Sequence, residues 1–387
     1  MDETVRIIPC YGKPLILESE KQGRLHFPVS EQGFLVGPEN RIVEPIFNWL
    51  VETGTKRVVH PDETEEQPET SVAGQRFPVL FYGPSGVGKT HLLRGIFTAV
   101  QNERQKTTRK GSGHFKAYYL TGNDFVRYFT EALQTRTTTD FRHRYRNAEF
   151  FVLDDLDSLR EKEVAQEEFF FVFDELLSDG KTVLLSLPTF PGDRPGFSER
   201  LLARLLGGTL IPLAMPTVVT RRYFLSELAG ALRFSVSESL LEYAAKELTV
   251  SLPTLYGIFV QMTFELRAEK KIPDITAAGK AFLRKQIKGL APSIDSIAKR
   301  TAKHFNIKLS EIKGDKRNLT IAKVRNIAVY LSRELTGKSF KEIGEYFGGR
   351  DPSTIRHLVS CIAEQMRTNP TLRNELLRLQ SLLPQTR

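Results

Sequence analysis

Short runs of consecutive apolar residues alternate, in the first half of the chain, with stretches in which apolar residues recur every three or four positions. The runs are typical of strands buried on both faces of a sheet, and the spaced pattern is typical of amphipathic helices. The runs predict a short strand or turn from Phe34 and strands over 80–82, 117–120, 150–155, 182–187 and 210–213. The spaced pattern predicts helices over 42–50, after residue 88, over 123–133 with Asn123 as its cap, and over 166–177. Such alternation predicts a parallel sheet with helices on both faces.

Beyond residue 215 the chain shows mainly the helical pattern. Two groups of four helices are predicted, over 220–233, 237–248, 253–267 and 276–287, and then over 294–305, 319–335, 339–347 and 352–366. The first group suits a helical lid on the sheet domain, and the second suits a separate all-α domain. The expected domains are a lead-in at 1–32, an α/β domain at 33–215, the lid at 216–289 and the all-α domain at 290–387.

Two segments lack clear periodicity. Residues 1–32 alternate weakly and contain several Gly and Pro, so we expect a short extended lead-in with no domain of its own. Residues 53–75 are rich in acidic residues, Thr and Pro, which predicts a disordered surface insertion.

A glycine-rich loop follows the strand at 80–82. It fits the pattern G-x-x-x-x-G-K-[ST] in full, with Gly83, Pro84, Ser85, Gly86, Val87, Gly88, Lys89 and Thr90. Glycines let successive backbone N–H groups face an anion without a Cβ in the way, and the helix N-terminus behind them adds partial positive charge. The loop therefore predicts a nucleotide phosphate site, in which Lys89 reaches the outer phosphates and Thr90 holds Mg²⁺.

Two acidic residues end the strand at 150–155. Asp154 is placed to hold the Mg²⁺ water shell opposite Thr90, and Asp155 to orient or deprotonate a water that attacks the γ-phosphate. Without the phosphate loop, the pair would be read simply as the end of a strand. With the loop upstream, we favour the catalytic-metal interpretation.

Composition limits the class of protein. The chain has 387 residues, 40% hydrophobic and 26% charged, which is typical of a globular protein of two or three domains. It has no apolar run of about 18 residues that would span a bilayer, no basic and apolar signal segment, and only two cysteines, Cys10 and Cys361. We therefore expect a cytoplasmic protein.

The positive charge is concentrated near the C-terminus. Residues 280–387 contain 22 Lys and Arg against 9 Asp and Glu, whereas the first 279 residues contain 33 against 37. A solvated charged face explains most Lys runs, but this asymmetry favours an anionic polymer as partner.

A helix-turn-helix is predicted within this basic region. Ser339 and Glu342 form a capping box at the start of one helix, and Gly348 and Gly349 end that helix in a tight turn. Asp351 caps the next helix. Its exposed start would meet base edges of duplex DNA, through Arg350, Asp351, Pro352, Ser353, Thr354, Arg356 and His357.

Basic residues on or before the neighbouring helices are expected to bind phosphates or a groove edge, and they are Lys323, Arg325, Arg333, Lys338 and Lys341. The alternative is an ordinary helical hairpin with solvated Arg and Lys.

These motifs together resemble the bacterial DnaA family of chromosomal replication initiators, which are AAA+ ATPases. The resemblance extends from about residue 33 to 380, and its most specific parts are residues 327–336 and 343–351. Residues 78–93 and 166–170 are similar to the family as well. The resemblance implies an AAA+ nucleotide-binding domain and assembly of ATP-bound protomers on origin DNA, with opening of the duplex nearby.

Further site residues are implied by position in the family's motifs. Arg204 matches the arginine finger that reaches ATP on the next protomer, supported by Arg200. Two arginines on a helix, taken alone, are more often solvated. Leu35 and Val36 match the adenine pocket, and Lys162 falls in the region used toward single-stranded DNA. Arg325 matches a minor-groove arginine, and Asp351, Ser353, Thr354 and His357 match major-groove or backbone contacts.

The chain departs from the family pattern at several positions. Pro188 and Pro253 replace a polar sensor and a lid arginine, and proline neither donates a hydrogen bond nor carries charge. Either another group substitutes for them, or hydrolysis is weakened, so at most weak ATPase activity is expected. Pro352 replaces a histidine in the second helix of the helix-turn-helix, which changes the expected DNA site. Because the resemblance begins near residue 33, we expect no counterpart of the family's N-terminal helicase-interacting domain, and helicase loading by the usual route is not expected.

Three functions are consistent with these residues. The first is an ATP- and Mg²⁺-dependent initiator, associated with the nucleoid, that binds duplex origin repeats and self-assembles. The second is a divergent DNA-binding regulator with weak or absent ATP hydrolysis. The third is a helicase loader, which would leave the duplex-binding domain without a role.

Overall fold

The computed structural model describes residues 5–8, 33–55, 78–107, 115–193, 195–268, 274–290, 293–314 and 318–369, with positions 372, 373, 375, 376 and 379 beyond them. By internal contacts the chain divides into two units. The first contains residues 1–233 and 251–256, and the second contains residues 234–250 and 257–387.

The centre of the first unit is a five-stranded sheet. Its strands are β3 (Val79–Tyr82), β4 (Ala117–Thr121), β5 (Phe150–Asp154), β6 (Thr182–Leu187) and β7 (Thr209–Pro212). They lie in the order β4-β5-β6-β3-β7, and every neighbouring pair is parallel. The predicted parallel sheet is therefore confirmed. Because all strands run the same way, the ends of β3, β5 and β6 meet at one edge, where α/β sheets bind ligands.

Helices cover both faces of this sheet, as predicted. The helices of the first unit are α1 (Val43–Thr55), α2 (Lys89–Thr107), α3 (Gly122–Gln134), α4 (Thr138–Arg146), α5 (Glu163–Ser178), α6 (Glu199–Leu206) and α7 (Val218–Ala231). Successive strand residues point to opposite faces. Phe150 and Val152 pack with α1 and α2 on one face, which we call the α2 face, whereas Phe151 and Leu153 pack with α3 to α6 on the other.

A two-stranded antiparallel ribbon also belongs to the first unit. β1 (Arg6–Ile8) pairs with β2 (Phe34–Val36). The remainder of the predicted lead-in, residues 1–4 and 9–32, lies outside the described ranges. Residues 53–55 of the predicted insertion belong to α1, so the insertion was placed too early; residues 56–75 also lie outside the described ranges.

The second unit is helical in its described residues. It contains α8 (Glu238–Glu247), most of α9 (Leu252–Ala268), α10 (Ile275–Leu290), α11 (Ile294–His304), α12 (Leu309–Lys313), α13 (Leu319–Thr336), α14 (Phe340–Tyr346) and α15 (Pro352–Thr368). We refer to α11 to α15 as the C-terminal helices. Their core includes Ile312, Val324, Ile343 and Phe347, all almost fully buried.

Two local predictions need correction. Thr121, not Asn123, caps α3, because its hydroxyl accepts the N–H of Asp124 at 3.1 Å and the helix begins one residue before Asn123. The periodicity also missed α4 and α12. α4 buries only Phe141 and Tyr145, and α12 has five residues, so neither carries a full amphipathic pattern.

Candidate nucleotide-binding and DNA-binding sites

The glycines of the phosphate loop are required by close backbone approaches. Gly86 and Gly88 adopt φ angles of +82° and +98°, which favour glycine. A Cβ on Gly83 would lie 2.1 Å from the carbonyl oxygen of Leu213, and one on Gly88 would lie 2.8 Å from the ring of Phe34. Any other residue at these positions would displace neighbouring atoms, so the loop that joins β3 to α2 keeps its backbone open.

Lys89 points into this loop. Its Nζ donates to the carbonyl oxygens of Gly83 at 2.6 Å and Pro84 at 2.9 Å. Burial lowers the pKa of Lys89, while the negative charges of Asp154 and Asp155 act in the opposite direction. The ammonium therefore lies within the field of both acidic residues. In the same loop Pro84, Ser85 and Thr90 are exposed and Val87 is buried.

Asp154 is held between two hydroxyl groups. The Tyr119 hydroxyl donates to its Oδ2 at 2.9 Å, and the Ser186 hydroxyl donates to its Oδ1. Burial, followed by the charge of Asp154, raises the pKa of Tyr119 well above its ordinary value, which keeps the hydroxyl protonated. Sequence reasoning missed both donors, because β4 and β6 each contain more than one hydroxyl side chain and no local pattern separates Tyr119 and Ser186 from the others.

Asp155 is exposed and begins the turn after β5. Its φ of +57° and ψ of +55° are left-handed, a conformation uncommon outside glycine and Asn or Asp. Its N–H donates to Ser186 Oγ at 2.8 Å, and the Ser158 hydroxyl donates to its Oδ2 at 2.7 Å. The carboxylate is thus presented to solvent at the same sheet edge as the phosphate loop.

The donor set suits a magnesium nucleotide. Thr90 and Asp154 offer the hard oxygen atoms that Mg²⁺ prefers, and Mg²⁺ is usually held by one or two carboxylates together with substrate phosphates. No group of three His, Cys, Asp or Glu side chains within the described ranges is arranged as a metal site. Thr90 and Asp154 fit a cation that is held jointly with the phosphates of a nucleotide.

Leu35 and Val36, the predicted adenine-pocket residues, are buried in β2. Just after them, Asn40 Oδ1 accepts the N–H of Ala214 at 2.9 Å, and Glu39 accepts the hydroxyl of Thr217 at 3.0 Å. These bonds connect the segment after β2 to the segment after β7. The role of Leu35 and Val36 in binding an adenine base stays a prediction.

Pro188 and Pro253, the two prolines that depart from the family pattern, lie at the end of β6 and at the start of α9. Pro188 directly follows β6, and the neighbouring Thr189 Oγ1 is buried with no hydrogen-bond partner among the described residues. A Cβ on Gly86 would lie 2.6 Å from Ser251 Oγ and 3.7 Å from Pro253 Cδ. The start of α9 therefore approaches the phosphate loop with a proline at the position where the resemblance implies an arginine.

Arg204 is engaged within its own chain. It lies on α6, half exposed, and its Nε donates to Asp174 of α5 at 2.7 Å, in an ion pair that also involves Nη2. The guanidinium of Arg200 lies 4.1 Å from the centre of the Phe170 ring. Lys162 precedes α5 and is exposed. The finger role of Arg204 stays a prediction.

The predicted helix-turn-helix caps are confirmed in the second unit. Ser339 accepts the N–H of Glu342 at 3.2 Å, and Glu342 accepts the N–H of Ser339 at 2.9 Å, which completes the capping box of α14. Gly348 and Gly349 have φ angles of +94° and +71°. Asp351 then caps α15 by accepting the N–H of Ser353 at 2.8 Å.

The first turns of α15 are exposed. Cap bonds from Ser353, from both its N–H and its hydroxyl, lower the pKa of Asp351. Arg356 lies 5.3 Å from the centre of the Phe340 ring. The exposed predicted contacts on this surface are Lys341, Asp351, Pro352, Ser353, Thr354 and His357. Lys323 of α13 is also exposed, with its Nζ 3.9 Å from Glu375.

Arg325, the predicted minor-groove arginine, is buried and bonded within its own domain. Its side chain is 6% exposed, and its guanidinium donates to the carbonyl oxygens of Ile312 at 2.7 Å, Glu311 at 3.1 Å and Gly314 at 2.7 Å. These carbonyls lie at the end of α12, where helix carbonyls lack intrahelical partners. Arg325 therefore bonds a helix terminus in this structure, and its contact with a DNA groove stays a prediction. Arg350 likewise donates to Gly314, at 3.1 Å.

The two units define a class of protein: a parallel-sheet ATPase of the AAA+ type, joined in one chain to a helix-turn-helix domain. A model of the bacterial DnaA ATPase domain matches residues 66–212, and a model of the bacterial DnaA helix-turn-helix matches residues 294–362. The chain belongs to the DnaA family of bacterial chromosomal replication initiators.

Relatives and solved structures agree with this assignment. The chain is 34% identical to the initiator DnaA of Levilactobacillus brevis over 301 residues, 77% of this chain and 65% of that protein. It is 32% identical to DnaA of Enterococcus faecalis over 310 residues, 79% of this chain and 67% of that protein. The chain thus spans about two thirds of the length of these relatives.

Solved structures share the fold. A replication initiator DnaA bound to AMPPCP and single-stranded DNA matches with a TM-score of 0.51 and 24% identity, over 91% of this chain and 97% of that chain. AMPPCP-bound DnaA from Aquifex aeolicus matches with a TM-score of 0.50 and 24% identity, over 92% of this chain and 98% of that chain. In the part of the chain that the structure describes, no helix is long and apolar enough to cross a membrane.

Proposed function

We propose that this protein is an ATP-dependent initiator of chromosomal replication, which binds duplex origin repeats, assembles on them and promotes strand opening. It would act in the cytoplasm, on the nucleoid. The observation that carries the proposal is the presence, in one chain, of an open phosphate loop and a helix-turn-helix whose second helix starts in solvent. The names of the relatives, all chromosomal replication initiators, support the same function.

In this proposal ATP binds at the edge formed by β3, β5 and β6. The N–H groups of the phosphate loop and the Lys89 ammonium bind the phosphates, while Thr90 and Asp154 hold Mg²⁺, which neutralises phosphate charge when bound. Asp155 orients a water toward the γ-phosphate. The solved relatives bound to AMPPCP, an ATP analogue, support the choice of nucleotide.

Duplex DNA would be bound by the C-terminal helices. Ser353, Thr354 and His357 lie on the exposed start of α15, where side chains of a second helix meet base edges. Lys323 and Lys341 supply charge to phosphates. Single-stranded DNA is a further expected partner, because one solved relative is bound to it, and Lys162 is our candidate contact.

Assembly would require Arg204 to exchange partners. Its bonds to Asp174 occupy the guanidinium within one chain, so reaching ATP on a neighbouring protomer means breaking that ion pair. An exposed ion pair contributes at most about 1 kcal/mol. The bond to Asp174 would therefore be only a small barrier to the exchange.

One observation favours a second candidate function, a DNA-binding regulator with weak or absent hydrolysis. Pro253 stands beside Gly86 of the phosphate loop, at a position from which a cationic side chain would reach a nucleotide. Proline has no charge and no N–H, so it does not report on the γ-phosphate. Under this candidate, nucleotide would stabilise the first unit without switching assembly.

Selection from a duplex DNA library separates the two. The purified chain is incubated with the library at fixed salt in ATP, in ADP and without nucleotide, and the retained DNA is sequenced. Enrichment of a short repeated element, with multimers formed only in ATP, is expected of an initiator. Enrichment indifferent to nucleotide would favour the regulator, and no enrichment would refute the DNA-binding role of the C-terminal helices.

A further inference from the structure

Three polar side chains lie side by side on the α2 face of the sheet. They come from three neighbouring strands: Tyr119 from β4, Asp154 from β5 and Ser186 from β6. The side chains before them on this face are apolar, Val152 on β5 and Leu184 on β6. Buried polar side chains are costly unless they are hydrogen-bonded, and each of these three has a partner within the row.

The two hydroxyls hold Asp154 from opposite sides. Tyr119, Asp154 and Ser186 are 6%, 3% and 1% exposed, so water contributes little to their bonding. Tyr119 donates to one carboxylate oxygen at 2.9 Å and Ser186 donates to the other. Each ionised carboxylate oxygen accepts more than one bond, so both oxygens keep the capacity to bind a cation or its water shell.

Ser186 also connects Asp154 to Asp155. Its oxygen accepts the Asp155 N–H at 2.8 Å while its hydroxyl hydrogen is donated to Asp154. That N–H belongs to the residue in the left-handed conformation, a backbone state that persists only where the surroundings impose it. The Ser186 hydroxyl therefore helps to fix both the orientation of the Asp154 carboxylate and the backbone conformation of Asp155.

We propose that Tyr119 and Ser186 are positioning residues for the magnesium nucleotide: they orient Asp154 toward the cation, and Ser186 aims Asp155 at the same edge. This inference rests on the proposed nucleotide function. Tyr119 in β4 and Ser186 in β6 would thus contribute to cation binding without touching the cation. Pro188, which follows β6, cannot supply the polar side chain that the family pattern has there. Partners of this kind around a ligating carboxylate typically affect metal affinity by about 10- to 100-fold.

A purely structural role predicts a different result. If the hydroxyls only satisfy a buried carboxylate, their loss lowers the stability of the first unit and weakens nucleotide binding equally with and without Mg²⁺. If they position Asp154 for the cation, their loss weakens the contribution of Mg²⁺ alone. The Mg²⁺ dependence of nucleotide affinity is therefore the measurement that separates the two.

The experiment uses the full chain and an N-methylanthraniloyl fluorescent ATP analogue. Affinity is measured in EDTA and then during titration with Mg²⁺, for wild type, Tyr119→Phe and Ser186→Ala. Both variants are expected to need about 10- to 100-fold more Mg²⁺ for half of the affinity gain, with the affinity in EDTA unchanged. Tyr118→Phe is the matched control, because Tyr118 is the preceding residue of β4 and packs against Tyr145 on the other face.

The outcomes are distinguishable. A wild-type Mg²⁺ requirement in both variants, or an equal loss of affinity with and without Mg²⁺, would overturn the inference while leaving nucleotide binding intact. Failure of the wild type itself to bind the analogue would overturn the proposed nucleotide function, and this inference with it. Circular dichroism monitors folding, and if one variant fails to fold, the other decides the result.

Discussion

Arg325 provides the sharpest test, because the sequence and the structure assign it different roles. We expect Arg325→Met to destabilise the C-terminal helices by about 3 kcal/mol. The substitution removes three bonds from a charged donor to carbonyl oxygens, and such bonds contribute about 1.5 to 3 kcal/mol each. The low value for all three bonds sums to about 4.5 kcal/mol. Relief of the desolvation penalty offsets part of this loss, while the carbonyls left without a partner add to it, so we take about 3 kcal/mol as the order of magnitude.

Hydrogen–deuterium exchange of the full chain measures this effect locally. Peptides from α12 and the start of α13 should lose protection by about 100-fold, since each 1.4 kcal/mol is a factor of about ten. Whole-protein fluorescence is less suitable, because the single tryptophan, Trp49, lies in the first unit.

Lys323→Met is the matched control on the same helix. The Lys323 side chain is 59% exposed, so we expect unchanged protection together with weaker retention of duplex DNA at low salt. If Arg325→Met kept wild-type protection and abolished DNA retention, the structural assignment of Arg325 would be wrong and a groove contact would be favoured.

Three further predictions concern other parts of the chain. Lys89→Ala should abolish binding of the fluorescent ATP analogue but preserve DNA retention; loss of both, with the circular dichroism of wild type, would mean that DNA retention itself requires nucleotide. Arg204→Ala should keep ATP affinity and reduce ATP-dependent multimers in analytical ultracentrifugation, whereas unchanged multimers would exclude the finger role. Bonds from Lys338 and Ser339 lower the pKa of Glu342 from 4.5 to about 2, so its stabilising contribution is complete above pH 4.5 and lost as the pH falls toward 2. Glu342→Gln should therefore flatten the acid dependence of α14 protection between these values, and an unchanged slope would contradict the capping role.

The fold was predictable where each element carries its own signal. β5 and β6 are buried on both faces, so their apolar runs are nearly continuous, and parallel pairing follows from their alternation with helices. The helix-turn-helix was predictable because a capping box, two glycines and an Asp–Pro start are local features. α4 was missed because only Phe141 and Tyr145, four residues apart, mark its buried side.

The candidate sites were predictable only in part, since some roles depend on residues distant in sequence. The phosphate loop is contiguous and could be read directly. Tyr119 and Asp154 are 35 residues apart in sequence, and no local pattern predicts the hydrogen bond between them. The bonds of Arg325 were not predictable either, because its partners are carbonyls 11 to 14 residues earlier that only the fold brings close.

Gly344 has a consequence for how DNA preference can change. A Cβ at this position of α14 would lie 2.1 Å from the carbonyl oxygen of Arg350, and the Arg350 N–H bonds the Gly344 carbonyl at 3.0 Å. The orientation of α15 relative to α14 is therefore constrained by a contact between the backbones of Gly344 and Arg350, and not by side chains that face solvent. Exposed positions such as Pro352 and His357 are free to vary without tilting the helix. Under the proposed function, substitutions at these exposed positions would change the DNA sequence that is bound while the orientation of α15 stays the same.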